Sequence, residues 1–244
     1  MFIKKQKGSL FGILLVAIVA VIYCMWEATA PPQPQKDYTD VNHDDLVVRF
    51  MDVGQGDCEI IQLPDGTNII IDGGPESAQG SLLKEIDSYG IKKFDYVIAT
   101  HPHEDHIGGT DDIFKNLEIK NVCLPYLDSE FYTPTKLYSN LLANIESEGS
   151  NTIKLSAGSV LLEKENYSIE AIAPGKDSVY SDLNDYSVCL LIDYYTNTIL
   201  FTGDAEERSE TEMLATGKNL DADILKVGHH GSSGSSSEEF LKKV

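Results

Sequence analysis

The stretch His101-Pro102-His103-Glu104-Asp105-His106 places three of the chain's six histidines and two carboxylates within six residues. An apolar run, 94–100, precedes it and is typical of a buried strand, and Ile107-Gly108-Gly109 follows at the predicted start of a helix. In layered α/β proteins, binding sites form at the carboxyl ends of strands. Imidazole and carboxylate groups are ligands of zinc, manganese and iron. The stretch therefore predicts an α/β fold with a metal site.

Further segments repeat this design of polar side chains at the predicted end of a strand. Two apolar runs end in Asp72-Gly73-Gly74 and Gly203-Asp204, a third ends in His229-His230-Gly231, and Asn184-Asp185 precedes a fourth. The glycines allow the backbone to turn sharply. An Asp before two glycines is, by itself, more typical of a turn than of a ligand, whereas a His-His pair is harder to explain as a turn.

Taken in this order, the segments resemble the metallo-β-lactamase superfamily, whose H-x-H-x-D-H pattern fits residues 101–106 without a gap. Within it, the chain is most similar to ComEC-like extracellular hydrolase domains of DNA-uptake proteins and their stand-alone relatives. The segments that carry this narrower resemblance are 50–57 (FMDVGQGD), 202–206 (TGDAE) and 225–232 (LKVGHHGS). The resemblance covers about residues 46–244. It implies a mixed α/β (α+β) fold, the αββα four-layer sandwich. Because relatives usually continue past the His-His-Gly-Ser segment, it also implies a truncated C-terminus.

The local patterns agree with such a fold, since strands and helices are mixed in both halves of the chain. We predict strands at about 46–52, 57–63, 68–72, 95–100, 121–124, 168–173, 187–194, 198–202 and 223–227, and helices at about 79–89, 110–117, 134–148, 206–215 and 237–243. Asp65-Gly66 and Asn197-Thr198 predict hairpin turns. Cys58, Cys123 and Cys189 fall in predicted strands, and we expect buried free thiols rather than disulfides or metal ligands.

The resemblance also implies which residues form the site. The expected ligands of two divalent ions, zinc by default and manganese as the alternative, are His101, His103, Asp105, His106, Asp204 and His230, with Asp204 joining both ions. The expected catalytic residues are Asp105, His229 and Asp72. Asp72 would orient a ligand or its loop from behind. His229 would act as general acid to the leaving group or contact a phosphate.

The chain departs from the family pattern at one ligand, because no His lies between His106 and His229. Most superfamily enzymes have a further histidine there. One metal site is therefore expected to lack a nitrogen ligand, and Asn184 or Asp185 is the candidate substitute for it. Ser232 and Ser233 are candidate substrate-binding residues. The segment 232–237 that contains them fits a flexible linker or an anion pocket equally well.

The N-terminal segment predicts export. Residues 9–26 are uncharged and mostly apolar, at the lower length limit for a membrane-spanning helix, and Lys4, Lys5 and Lys7 precede them. We expect an uncleaved anchor and an extracellular domain. The alternative is a secreted protein with a cleaved signal peptide, since Ala28-Thr29-Ala30 has the small-x-small form. The expected parts are residues 1–30, anchor or signal peptide; 31–45, Pro-rich linker; and 46–244, catalytic domain.

The charge balance argues against strong binding of nucleic acid. The net charge is −20, and beyond residue 30 the chain holds 16 basic and 38 acidic residues, which gives −22. Nucleic-acid affinity comes largely from neutralising phosphates, so we expect weak binding at most. Metal ions would still supply local positive charge for a phosphodiester.

These features together predict an exported metal-dependent hydrolase of phosphate esters, a ComEC-like phosphodiesterase or nuclease that uses a metal-bound hydroxide. Two alternatives remain open. One is a hydrolase of a cell-envelope ester, such as a phosphocholine ester. The other is a catalytically impaired binding module, which the expected loss of C-terminal residues would favour and the intact motifs disfavour.

Overall fold

The computed structural model describes residues 45–127 and 135–244. They belong to one structural unit, Thr39–Val244. The expected anchor or signal peptide, 1–30, and nearly all of the expected linker, 31–44, lie outside the described residues. Within the described ranges, no helix combines the length and apolar character needed to cross a membrane.

Eleven strands lie within the described residues and form two sheets. The first sheet contains, in spatial order, β1 (Val47–Phe50), β2 (Glu59–Gln62), β3 (Asn68–Ile71), β4 (Lys93–Ile98), β5 (Glu118–Pro125) and β6 (Asn151–Leu155). The second contains β7 (Ser159–Glu163), β8 (Tyr167–Ala173), β9 (Cys189–Tyr194), β10 (Asn197–Phe201) and β11 (Ile224–Lys226), also side by side in chain order. Strands β3 to β6 are parallel, as are β10 and β11.

Parallel neighbours need crossover connections, and helices supply them in the first sheet. The α-helices are α1 (Gln79–Ser88), α2 (Glu104–Ile107), α3 (Thr110–Asn116), α4 (Lys136–Glu148), α5 (Glu207–Ala215) and α6 (Glu238–Leu241). Helix α4 shows the local signals: the Thr135 hydroxyl accepts the Tyr138 N–H at 3.1 Å, and Gly149 ends the helix at φ 72°.

The cores between these elements define four layers. Ile70 of β3 packs towards α1, α3 and α4, whereas its neighbours Ile69 and Ile71 pack between the two sheets. On the far side, Met213 of α5 and Phe240 of α6 cover the second sheet. A β-branched run buried on both faces is what an internal parallel strand requires. The αββα sandwich is therefore confirmed.

Some local predictions were wrong. Strands β6 and β7 were not predicted, because Asn151–Leu155 is polar and mostly exposed, and Ser159–Glu163 is a short strand at the edge of its sheet. The second hairpin turns at Tyr195–Thr196 rather than at Asn197-Thr198, which already belongs to β10. The Asp65-Gly66 turn is present between β2 and β3.

Five strand ends meet at one edge of the sandwich: the carboxyl ends of β3, β4, β10 and β11 and the amino end of β9. The contacts across the two sheets show this directly, since Ser187 before β9 lies 3.3 Å from His101 after β4. Every segment that the sequence singled out as polar after a strand opens onto this edge.

Candidate metal centre

The six expected metal ligands come together at this edge in two groups. Asp105, His106, Asp204 and His230 form one group, and His101, His103 and Asp204 form the other. In each group the ligand atoms lie within 4.8 Å of one another. Asp204 belongs to both groups, which is the arrangement expected of a carboxylate shared between two ions.

The smaller group has two imidazole nitrogens facing one point. His101 Nε2 lies 2.9 Å from His103 Nδ1 and 3.8 Å from Asp204 Oδ2. Burial, together with the nearby His106, lowers the pKa of His101 well below its ordinary value. His101 is therefore neutral near pH 7, the state in which imidazole binds metals.

The larger group is built around Asp204 Oδ2. This oxygen lies 3.1 Å from His106 Nε2 and 3.5 Å from His230 Nε2. The same His230 nitrogen is 3.3 Å from Asp105 Oδ2. The backbone at His230 is in the left-handed region, at φ 51°, which is uncommon for a residue other than glycine and is found at functional sites.

Asp72 lies behind the larger group. Its Oδ2 is 2.7 Å from His106 Nδ1, and its two oxygens accept the N–H of Thr100 at 2.8 Å and the Thr100 hydroxyl at 2.6 Å. The carboxylate therefore orients one ligand ring and the residue that leads into the His101 loop. This is the placement expected for Asp72 from the sequence.

The electrostatics of the larger group favour a positive charge at its centre. Burial alone would lower the pKa of His106, but Asp72 and Asp204 on either side raise it well above its usual value. Burial alone would likewise raise the pKa of Asp204, but the surrounding His106, His101 and His230 hold it far below the usual range.

The residues fit divalent cations. Three buried atoms of these ligands, His106 Nε2, His230 Nε2 and Asp204 Oδ1, make no well-formed hydrogen bond within the described chain, although the two nitrogens lie 3.1 and 3.3 Å from carboxylate oxygens. Buried polar atoms are nearly always satisfied, so such orphaned atoms need an explanation. Imidazole nitrogen and carboxylate oxygen are the donors that zinc and manganese accept, and a bound ion would satisfy all three.

His229 stands beside the two groups rather than within them. Its Nε2 is 3.8 Å from Asp204 Oδ2, while its Nδ1 is 2.9 Å from Glu206 Oε1, and about a third of its side chain is exposed. Glu206 also accepts the side-chain N–H of Asn184 at 3.2 Å. His229 therefore has one nitrogen held by a carboxylate and the other facing the open side of the cluster.

The two candidate substitutes for the missing histidine have different surroundings. Asp185 Oδ1 accepts the backbone N–H groups of Glu206 and Ser209, at 3.2 and 3.0 Å, and so caps helix α5. Burial raises the pKa of Asp185. Asn184 lies 3.4 Å from His229 Nδ1, and its buried Oδ1 has no hydrogen-bond partner in the described residues. Of the two, Asn184 is therefore the one that contacts His229, the histidine beside the cluster.

The serine segment that follows the histidines is a folded turn, so its interpretation as a flexible linker is wrong. The Ser235 hydroxyl donates to the Gly228 carbonyl at 2.7 Å. The buried Glu210 carboxylate accepts the backbone N–H groups of Ser236 and Ser237. Ser232 and Ser233, the candidate substrate-binding residues, lie at the exposed start of this turn.

Four site residues were not assigned a role from the sequence: Asp57, Ser187, Glu206 and Lys226. Three of them lie inside the segments that carried the family resemblance, which was a usable signal. Ser187 gave none, although its fully buried hydroxyl accepts the Asp204 N–H at 3.0 Å and contacts His101.

Residues 51–244 match the family model of the metallo-beta-lactamase superfamily, and the chain belongs to this family. A metallo-beta-lactamase from Staphylococcus aureus superimposes with a TM-score of 0.51 at 16% identity, over 82% of this chain and 61% of that one. The fold and the His/Asp cluster are those of a metal-dependent hydrolase.

Within the family, the chain is similar to proteins named for competence and recombination, as the ComEC-like resemblance predicted. ComE operon protein 3 of Bacillus subtilis is 29% identical over 214 residues, 81% of this chain and 27% of that protein. Recombination protein 2 of Haemophilus influenzae is 30% identical, over 81% of this chain and 23% of that protein. Competence protein ComA of Neisseria gonorrhoeae is 24% identical, over 84% of this chain and 26% of that protein. The chain thus spans about a quarter of the length of these relatives.

Proposed function

We propose that this chain is an exported hydrolase of phosphate esters, a ComEC-like phosphodiesterase or nuclease that binds two divalent ions, zinc or manganese. The observation that carries the proposal is the pair of ligand groups that share Asp204. Two ions held in this way would lower the pKa of water and would stabilise charge on the attacking and leaving oxygens of a phosphodiester.

The remaining residues would hold and protonate the substrate. His229 faces the open side of the cluster, and Glu206 fixes its ring through Nδ1. We assign the free Nε2 of His229 to a phosphate oxygen or to the leaving oxygen, which it can protonate. Ser232 and Ser233 follow it shortly in the chain, and their hydroxyls would donate to the same phosphate, while the Ser232 N–H donates to the His229 carbonyl.

The names of the relatives support a nucleic-acid substrate, since two of them refer to competence or recombination. The net charge of −20 supports weak general affinity, so that the metal centre rather than a basic surface would hold the phosphodiester. The uncharged run 9–26 behind three lysines supports a single-pass membrane protein with its catalytic domain outside the cell, or a secreted form.

The test is metal analysis of the purified chain beside three hydrolysis assays: a chromogenic phosphodiester, single-stranded DNA and a phosphocholine ester. We expect metal-dependent turnover of the first two. Turnover of the phosphocholine ester alone would favour the envelope-ester hydrolase over the phosphodiesterase. A folded, metal-loaded chain that turns over none of the three would support a binding module.

A further inference from the structure

Asp57 contacts two members of the larger ligand group at once. Its Oδ1 lies 3.2 Å from His230 Nδ1, the ring nitrogen on the far side from the cluster. Its backbone N–H donates to the Asp105 carbonyl at 3.2 Å. The preceding residue, Gly56, lies so close that a Cβ there would overlap the Asp105 carbonyl oxygen. The 51–57 loop is therefore fixed directly against the residues that would bind one ion.

Lys226 connects the same carboxylate to a third member of the group. Its ammonium forms an ion pair with Asp57 Oδ2 and donates to the Gly203 carbonyl at 3.3 Å, one residue before Asp204. Both side chains are nearly buried, with 11% of Lys226 and 8% of Asp57 exposed. The two residues are 169 positions apart: Asp57 precedes β2 of the first sheet, and Lys226 ends β11 of the second.

We propose that the Asp57–Lys226 pair is a positioning device for one half of the metal centre. It fixes the His230 ring and the backbone beside Asp105 and Asp204, so that these ligands converge before an ion arrives. This inference rests on the proposed metal binding. Its effect should be larger on this half, because within the described residues no hydrogen bond or ion pair of Asp57 or Lys226 reaches His101 or His103, and the other half is reached only through the shared Asp204.

The selectivity allows a test in which each half of the centre is isolated. His103→Ala leaves the Asp105–His230 half intact, and Asp105→Ala leaves the His101–His103 half intact. Zn²⁺ is titrated into the full-length chain and into both variants, each with and without Lys226→Met. Groups that orient ligands from behind change metal affinity by about 10–100-fold. We expect a loss of that size in the His103→Ala background and a clearly smaller loss in the Asp105→Ala background, where Lys226 acts only through the shared Asp204.

Three further variants control for effects on folding. Removing one partner of a buried ion pair leaves an unpaired charge, so Asp57→Asn/Lys226→Met removes both charges together. Lys226→Arg keeps the charge and the donors and should restore most of the Zn²⁺ affinity. Ile192→Val, in the core between the sheets, lowers stability without touching the site and should leave both Zn²⁺ affinities unchanged.

The outcomes separate the two proposals. Equal losses of Zn²⁺ affinity in both backgrounds, or no loss in the His103→Ala background, would overturn the positioning role. The proposed function would still stand in that case, provided that the unaltered chain binds two ions. An unaltered, folded chain that binds no Zn²⁺ would overturn both.

Discussion

Nδ1 of His106 lies 2.7 Å from Oδ2 of Asp72, and the same carboxylate accepts both the N–H and the hydroxyl of Thr100. One buried side chain thus fixes the ring of a ligand and the start of the loop that carries three more. The placement makes Asp72 the residue through which the first sheet sets the geometry of the cluster.

Asp72→Asn should weaken Zn²⁺ binding by about 10–100-fold while the chain stays folded. Asn tolerates the left-handed backbone at φ 54°, but its amide cannot accept from Thr100 and His106 at both oxygens. Zn²⁺ titration and circular dichroism measure the two effects. Asp95→Asn is the matched control, because Asp95 accepts a backbone N–H at the opposite end of the sheet. Unchanged affinity in Asp72→Asn would contradict the orienting role.

Asp204→Ala should abolish metal-dependent turnover, since both ligand groups lose their shared member. The metal-free variant should be less stable than the unaltered chain at neutral pH, because the histidines that hold the pKa of Asp204 far below its usual range also stabilise its ionised carboxylate in the folded chain. Thermal melts with and without Zn²⁺ are the measurement, and the increase in Tm that Zn²⁺ gives should disappear in the variant. Turnover that survives a chelator would rule out the two-ion mechanism.

Glu210→Gln should destabilise the chain by about 1–3 kcal/mol. The buried carboxylate accepts N–H groups from both Ser236 and Ser237, and an amide has only one acceptor oxygen. Urea unfolding measures the loss. Glu239→Gln, on the exposed face of α6, should change stability by less than about 0.5 kcal/mol. Equal effects of the two substitutions would show that the turn does not depend on Glu210.

The ligand residues could be predicted from the sequence because each follows a recognisable strand at a point where glycines turn the chain. His101, Asp204 and His230 have such local signals. Asp57 and Lys226 each lie in a segment of the family resemblance, but nothing in the sequence predicts that they pair, since 169 residues separate them and only the packing of two sheets brings them together. Strands β6 and β7 escaped prediction for a related reason: a short edge strand is specified by its partner rather than by its own apolar pattern. Asp185 looked like a ligand because capping an α-helix and binding a metal call for the same side chain.

The three described cysteines should not react with iodoacetamide in the native chain at neutral pH. Burial raises the pKa of Cys123 to about 12 and also raises those of Cys58 and Cys189, so the reactive thiolate is scarce and shielded from solvent. Labelling is counted by mass spectrometry in a Cys24→Ser chain, native and in urea. We expect no labels on the native chain and three labels in urea. Labelling of the native chain would contradict the buried placement.

Protease added to intact cells should degrade the catalytic domain. The lysines before residues 9–26 favour a cytoplasmic N-terminus, which places residues 46–244 outside. The measurement is immunoblotting of the domain before and after lysis, with a cytoplasmic protein as control. Protection in intact cells that is lost on lysis would refute export.

The ligands of the cluster come from both sheets: the loop after β4 supplies four of them, and the ends of β10 and β11 supply Asp204 and His230. An ion bound by either group would therefore act as a cross-link between the first and second halves of the chain. A ligand present at about 1,000 times its Kd stabilises the folded state by about 4 kcal/mol. We expect the supply of metal in the surroundings to govern the lifetime of the protein as well as its chemistry, because metal-starved chains would open at this edge first and meet proteases there.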